Sequence, residues 1–263
     1  MISLANARGT IGNSVAALRV PRVSGIVVAS FLARLPKGMV PLAIVLLLNA
    51  QFGGYGAAGA TAAALTLGDG LTSPLQGRLI DRFGRAQVML PSLVGYCLSL
   101  VALVLLARAT APPTVLAIVA FVAGATYPPV SGSVKAVWPL VVEDPRLLPA
   151  VYALESLCQH LFFLAGPLIS ITVMMMASPT IAILAAAGFS ILGTLGYVAQ
   201  TSGYVTLSAR ALGGAGAWSS AALRAMAVAT FAQGVVFGVL VVALPALAAA
   251  EGHRPWAGPL VAA

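Results

Sequence analysis

Long apolar runs, interrupted by short polar and basic clusters, organise this chain from residue 23 to its end. A hydrocarbon layer about 30 Å thick is crossed by roughly 20 helical residues. Seven stretches reach that length: 23–49, 54–79, 87–107, 115–141, 148–176, 179–200 and 225–250. An eighth is expected to begin near Trp256, where the remaining residues are too few to cross. The pattern predicts an all-α, polytopic membrane protein whose sequence looks cut off rather than completed. It divides into a cytoplasmic N-terminal segment (1–22), a six-helix transmembrane domain (23–200), a cytoplasmic linker (201–224) and a last part (225–263) holding helix 7 and the start of an incomplete second domain. The linker is rich in Gly, Ser and Ala. Its Gly-Gly-Ala-Gly run at 213–216 lacks the Lys-Ser/Thr and the preceding strand of a phosphate loop, so it reads as a flexible connection.

Composition agrees. Hydrophobic residues make up 60% of the 263 and charged ones 8%, against about 25% charged in a soluble domain. The net charge of +8 does not point to nucleic acid. The arginines lie in clusters between apolar runs, and the scattered aromatics offer no surface for stacking bases. Counted by alternating loops, nine arginines (8, 19, 22, 78, 82, 85, 146, 210, 224) face two (108, 254). That asymmetry places the N-terminus in the cytoplasm and the chain as a multi-pass protein of the plasma membrane, with the lipid bilayer its first partner. No cleavage site follows the N-terminal arginines, so residues 1–22 read as a leader into helix 1 rather than a signal peptide. Cys97 and Cys158 fall inside apolar runs and read as small buried hydrophobes. No metal or cofactor is expected.

The informative residues are ionisable groups within the spans, where charge is costly and usually faces protein or a water-filled cavity. These are Arg34 and Lys37 in helix 1, Asp69 in helix 2, Lys135 in helix 4, and Glu155 and His160 in helix 5. At 1.5 Å per residue, Arg34 lies about 17 Å and Asp69 about 15 Å from the cytoplasmic side, with Lys135 and Glu155 both at about 9–11 Å. Matching depths predict two pairs, Arg34–Asp69 and Lys135–Glu155. Lys135 could instead snorkel to the headgroups. His160 is read either as a proton relay or as a hydrogen-bonded interior side chain. Helices 3 and 6 carry no charge and are expected to face lipid. Basic, proline-containing helices 1 and 4, acidic 2 and 5, and neutral 3 and 6 suggest two inverted three-helix repeats. No Ser-His pair, catalytic carboxylate pair or metal cluster suggests an enzyme. A retinal receptor would need a lysine in helix 7, which has none.

Between helices 2 and 3 stands Gly-Arg-Leu-Ile-Asp-Arg-Phe-Gly-Arg at 77–85. It is expected to form a tight cytoplasmic turn. Gly77 would allow close packing, and Gly84 a left-handed backbone. Asp81 would accept bonds from helix-end amides or pair with arginine, and Arg82 and Arg85 would hold the turn at the inner leaflet. The segment resembles the G-x-x-x-D-R-x-G-R signature of the major facilitator superfamily of secondary transporters, with Ala86 in place of a frequent second basic residue. Arg34-Leu35-Pro36, the stretch from Pro128 to Pro139, and Gly166-Pro167 are similar to bacterial, efflux-like members. The resemblance implies two six-helix halves around a central cavity lined by helices 1, 2, 4 and 5. It also implies alternating access to a small-molecule substrate, with proton coupling an open option. Asp81 would latch the cytoplasmic side. The chain departs from the family at Ala120, where an arginine is expected, and at Phe162, where a glycine of the antiporter motif is expected. Transport would require the missing C-terminal half or a second copy. The alternative is a half-size membrane protein that acts as a helical interaction module or is inactive.

Overall fold

The computed structural model describes residues 20–204, together with Val236, Val239 and Ala243, which are helical and exposed. The leader up to residue 19 and most of the predicted linker and helix 7 lie outside the described residues. Every regular element between 20 and 204 is an α-helix: α1 (Val23–Phe52), α2 (Tyr55–Phe83), α3 (Arg85–Arg108), α4 (Pro113–Ala125), α5 (Val130–Val141), α6 (Leu148–Met176) and α7 (Pro179–Thr201). The predicted runs at 148–176 and 179–200 match α6 and α7 to within a residue.

Two elements differ from expectation. The run 115–141 is two helices, broken at Thr126–Pro129. Pro128 and Pro129 have no N–H to offer the carbonyls four residues earlier, at Gly124 and Ala125. Those acceptors are satisfied otherwise. The Tyr127 amide bonds Gly124 O at 3.1 Å. Thr72 Oγ1 and Gln76 Nε2 of α2 both donate to Ala125 O, at 3.1 and 2.9 Å. α2 thus caps α4 with side chains, and α4 and α5 together are long and apolar enough to cross a membrane.

The second difference is α2 itself. Five spans are long and apolar enough to cross a membrane: α1, α3, α4–α5, α6 and α7. α2 is not among them despite its 29 residues. Gly, Thr and Ser dilute its apolar content, Asp69 interrupts it, and Arg78, Asp81 and Arg82 close it.

α1 is the hub. The window that qualifies it as a span is 67% buried, against 28% for α6. It packs against α7, α6 and α2, while α2 packs mainly on α4. The neutral helices α3 and α7 are more buried within the bundle than α6, whose window is 28% buried against 44% for each of them. Apolar side chains suffice to bury α7 against α1; Ala182, Ile183 and Ala186 lie in the main core with Leu35, Met39 and Ala43.

Glycines set two of the close helix crossings. Gly38 of α1 meets Gly166 of α6, and a β-carbon on either would strike the other's backbone. Gly124 of α4 lies against the Leu65 carbonyl of α2, and Gly68 of α2 against the Phe121 carbonyl of α4. Small residues let backbones approach this closely without hydrophobic driving force between helices.

Candidate functional site

Both crossings sit beside an ion pair. Arg34 and Lys37 are three residues apart on α1, so they share a side of the helix, yet they reach different neighbours. Arg34 Nη1 bonds Glu155 Oε1 of α6, and Nη2 bonds Glu155 Oε2 at 3.2 Å. Lys37 Nζ bonds Asp69 Oδ2 of α2 at 2.8 Å. The pairings predicted from depth, Arg34–Asp69 and Lys135–Glu155, are therefore both corrected.

The causes are geometric. α2 continues to Phe83, four residues beyond the predicted end at 79, or about 6 Å more helix. Lys37 stands 14 residues into α1 and Asp69 14 residues before the end of α2, about 21 Å along each. Arg34, for its part, does not extend level with its Cα. Helical side chains lean toward the N-terminus. Arg34 runs back a full turn, with Nε on the Ser30 carbonyl at 2.8 Å and Nη2 on Ser30 Oγ at 3.0 Å. One turn lowers the guanidinium by about 6 Å, to the level of Glu155.

The surroundings of the two pairs differ. Arg34 and Glu155 have side chains only 1% and 3% exposed, with the Phe162 ring 5.5 Å from the guanidinium. Phe162 thus covers the ion pair. Lys37 and Asp69 are 26% and 29% exposed. The Lys37 ammonium lies 4.9 Å from the centre of the Tyr127 ring, a cation–π distance. Tyr127 packs edge-on against Tyr96, and its hydroxyl donates to the Ala33 carbonyl at 2.6 Å. The Met39 carbonyl accepts from Ser170 of α6 at 3.2 Å. Two α1 carbonyls thereby gain partners from other helices in a stretch interrupted by Pro36 and Pro41.

The other predicted residues lie apart from this cluster. Lys135 is exposed on α5 and pairs with no acid among the described residues. His160 is exposed, and its Nδ1 lies 2.7 Å from the Ser156 carbonyl of its own helix. An interior position for His160 is thus corrected. Cys97 and Cys158 are half-buried free thiols. Ala120 is fully buried in α4, with no room used by a cation there.

The 77–85 motif is the end of a helix rather than a loop. α2 holds through Phe83, Gly84 alone makes the turn, and α3 starts at Arg85. Gly84 has φ 92° and ψ 159°, a region essentially confined to glycine. Gly77 has open space where a β-carbon would stand, so close packing does not explain it. Arg78, Asp81 and Arg82 are exposed, and Asp81 makes no ion pair among the described residues. Arg82 stacks on Phe83, 5.2 Å from the ring centre. Arg85 was expected at the leaflet surface but is buried. Its Nη1 donates to the Tyr204 carbonyl at 2.9 Å, at the C-terminal end of α7. A cation there complements exposed carbonyls and the helix dipole.

Ser30, Tyr127 and Phe162 were missed as parts of the site by sequence reasoning. Ser30 was accessible in principle, being one turn before Arg34. Nothing local marks Tyr127 or Phe162. Comparisons with family models, curated proteins and solved structures give no match to this chain.

Proposed function

We propose that the chain is a transmembrane transporter of the major facilitator kind, carrying a small molecule by secondary active, efflux-like transport. The observation that carries this reading is the Lys37–Asp69 pair: a cation on α1, a helix long and apolar enough to cross a membrane, bonded to an acid on its neighbour α2, with both side chains partly open. Such groups mark solute or proton pathways, because a charge facing acyl chains is costly. The glycine-facing crossings support it. Under two inverted three-helix repeats, α1 corresponds to α4–α5 and α2 to α6, so the α1–α6 contact corresponds to the α4–α2 contact. Gly38 with Gly166 and Gly124 with Gly68 occupy those equivalent contacts.

In this reading the bundle is one half of an alternating-access machine in the bacterial plasma membrane, with its N-terminus in the cytoplasm. Lys37 and Asp69 border the pathway, Arg34 and Glu155 hold α1 to α6 behind it, and exposed Asp81 is available to latch a second bundle. The basic end of the helices supports the orientation. Arg22, Arg78, Arg82, Arg85 and Arg146 lie at one end and Arg108 at the other. A second bundle, from a C-terminal half or a second copy, completes the cavity.

A second reading is a half-size helical interaction module without transport of its own. It is favoured by the apolar faces that α2 and α6 leave open, where Leu67, Leu71, Leu75, Leu157, Leu161 and Leu164 are exposed.

The test is resistance or accumulation in cells expressing the chain across a panel of labelled small molecules, with Asp69→Asn and Lys135→Gln compared. Loss of flux in the first and retention in the second is expected. Equal flux in both would remove Asp69 from the pathway. No flux with any solute, in chain that is folded and in the membrane, would favour the interaction module.

A further inference from the structure

Two carboxylates stand beside α1 at the depth of the ion pairs, and their chemistry is not equivalent. Glu155 is locked. Both oxygens are taken by Arg34, the guanidinium is tied again to Ser30, and Phe162 covers the group. A proton reaching Glu155 would have to displace a bidentate arginine in a dry site, leaving a buried unpaired cation. Asp69 has one bond, to Oδ2, from a single-point ammonium on a flexible stem. More than a quarter of each side chain is open.

Among the described residues, the ionisable groups around Asp69 are few. α1 contributes Lys37. Tyr96 of α3 and Tyr127 from the α4–α5 break also interact with it electrostatically, with Cys97 beside Tyr96. α4, the helix most closely packed on α2, has no ionisable side chain. Arg34 is a turn away but neutralised by Glu155. Cations and acids match in number across the two pairs, and of the two acids only Asp69 has an open face.

We infer that, of the two carboxylates paired to α1, Asp69 is the one that exchanges a proton, with Lys37 as its built-in counter-cation, and that Glu155 does not exchange. Protonation releases the Lys37 ammonium from α2, and deprotonation draws it back. The step moves one proton from water to a carboxylate oxygen and breaks one N–H···O bond, with no other reactant. The inference deepens the transport reading and rests on it only in taking the open side of the pair to face water.

The test uses the full chain in lipid nanodiscs and dicyclohexylcarbodiimide, an apolar reagent that attacks protonated carboxyl groups. The acid proton passes to a carbodiimide nitrogen, the carboxylate oxygen bonds the central carbon, and an oxygen-to-nitrogen shift leaves a stable N-acylurea from which nothing departs. Peptide mass spectrometry then reads adducts at each position. The expected result is an Asp69 adduct exceeding that at Glu155 by about tenfold. Lys37→Met should raise the Asp69 adduct about fivefold, and Lys37→Arg should not. Equal labelling of the two carboxylates in the unsubstituted chain overturns the inference, whatever the variants do. Asp69 labelling indifferent to Lys37→Met overturns it too. The expected labelling in a chain that moves no solute would sink the transport reading and leave this one standing.

Discussion

Arg34–Glu155 and Lys37–Asp69 are ion pairs anchored three residues apart on one helix, yet they differ in every property that decides what an ion pair does. One is bidentate, buried and supported by Ser30 and Phe162. The other is held by one bond and is partly open. The difference begins with residue type. A guanidinium fork matches both carboxylate oxygens and tolerates desolvation, whereas an ammonium is a hydrated point charge. It is completed by packing. α1 and α6 close on each other through Gly38 and Gly166, and Phe162 covers the arginine. The first pair therefore serves as a fixed joint, and the second is free to exchange.

The comparison breaks if the two pairs respond alike to substitution. Glu155→Ala should have the largest effect, because it strands a buried guanidinium. A loss of about 3–5 kcal/mol is expected, read as a fall in the thermal unfolding midpoint of detergent-purified protein or as loss of the monodisperse peak. A smaller drop than for Asp69→Ala would reverse the assignment of roles.

Next comes the crossing of α2 on α4. Gly124→Val drives a side chain into the Leu65 backbone. At least about 1–3 kcal/mol should be lost, since backbone cannot step aside as a side chain can. Gly77→Ala, with open space around it, is the matched control and should not lower the midpoint. A tolerated valine at 124 would mean that the helices do not meet there.

Lys37→Ala and Asp69→Ala should each cost no more than about 1 kcal/mol, given that solvent screens a pair this open. The double variant should recover part of that loss in a double-mutant cycle. Strong destabilisation by either would make this pair a second fixed joint. Smallest of all is Lys135→Gln. Its side chain is exposed and makes no ion pair among the described residues, so neither midpoint nor flux should move. A clear loss would show that Lys135 has a partner beyond the described residues.

Much of the fold was legible because hydrophobic run length is a local property. α6 and α7 were read almost to the residue. The α4–α5 break was marked by Pro128-Pro129, although the reading joined the two helices. How Thr72 and Gln76 satisfy the freed Ala125 carbonyl was not legible, because those residues are about 50 positions away in sequence. At the site, the right charged residues were chosen on α1, α2 and α6, but their partners were exchanged. An error of four residues in the end of α2 is enough to slide Asp69 from the level of Arg34 to that of Lys37. His160 and Lys135 were singled out by residue type alone, and the side of the helix on which each lies set them apart from the cluster.

The sequence alone determined that residues 20–204 are helical, where the apolar runs lie, which ends are basic, and that charges of both signs lie within the helices. Those features depend on residues close together, through the period of the helix and the free energy of moving side chains out of water. Tertiary structure alone decided which carboxylate each cation meets, that Arg85 turns inward to the end of α7, and that one acid is sealed while the other stays open. Partner choice depends on side-chain direction, helix register and the approach of backbones at Gly38–Gly166 and Gly68–Gly124, and no local pattern encodes these quantities.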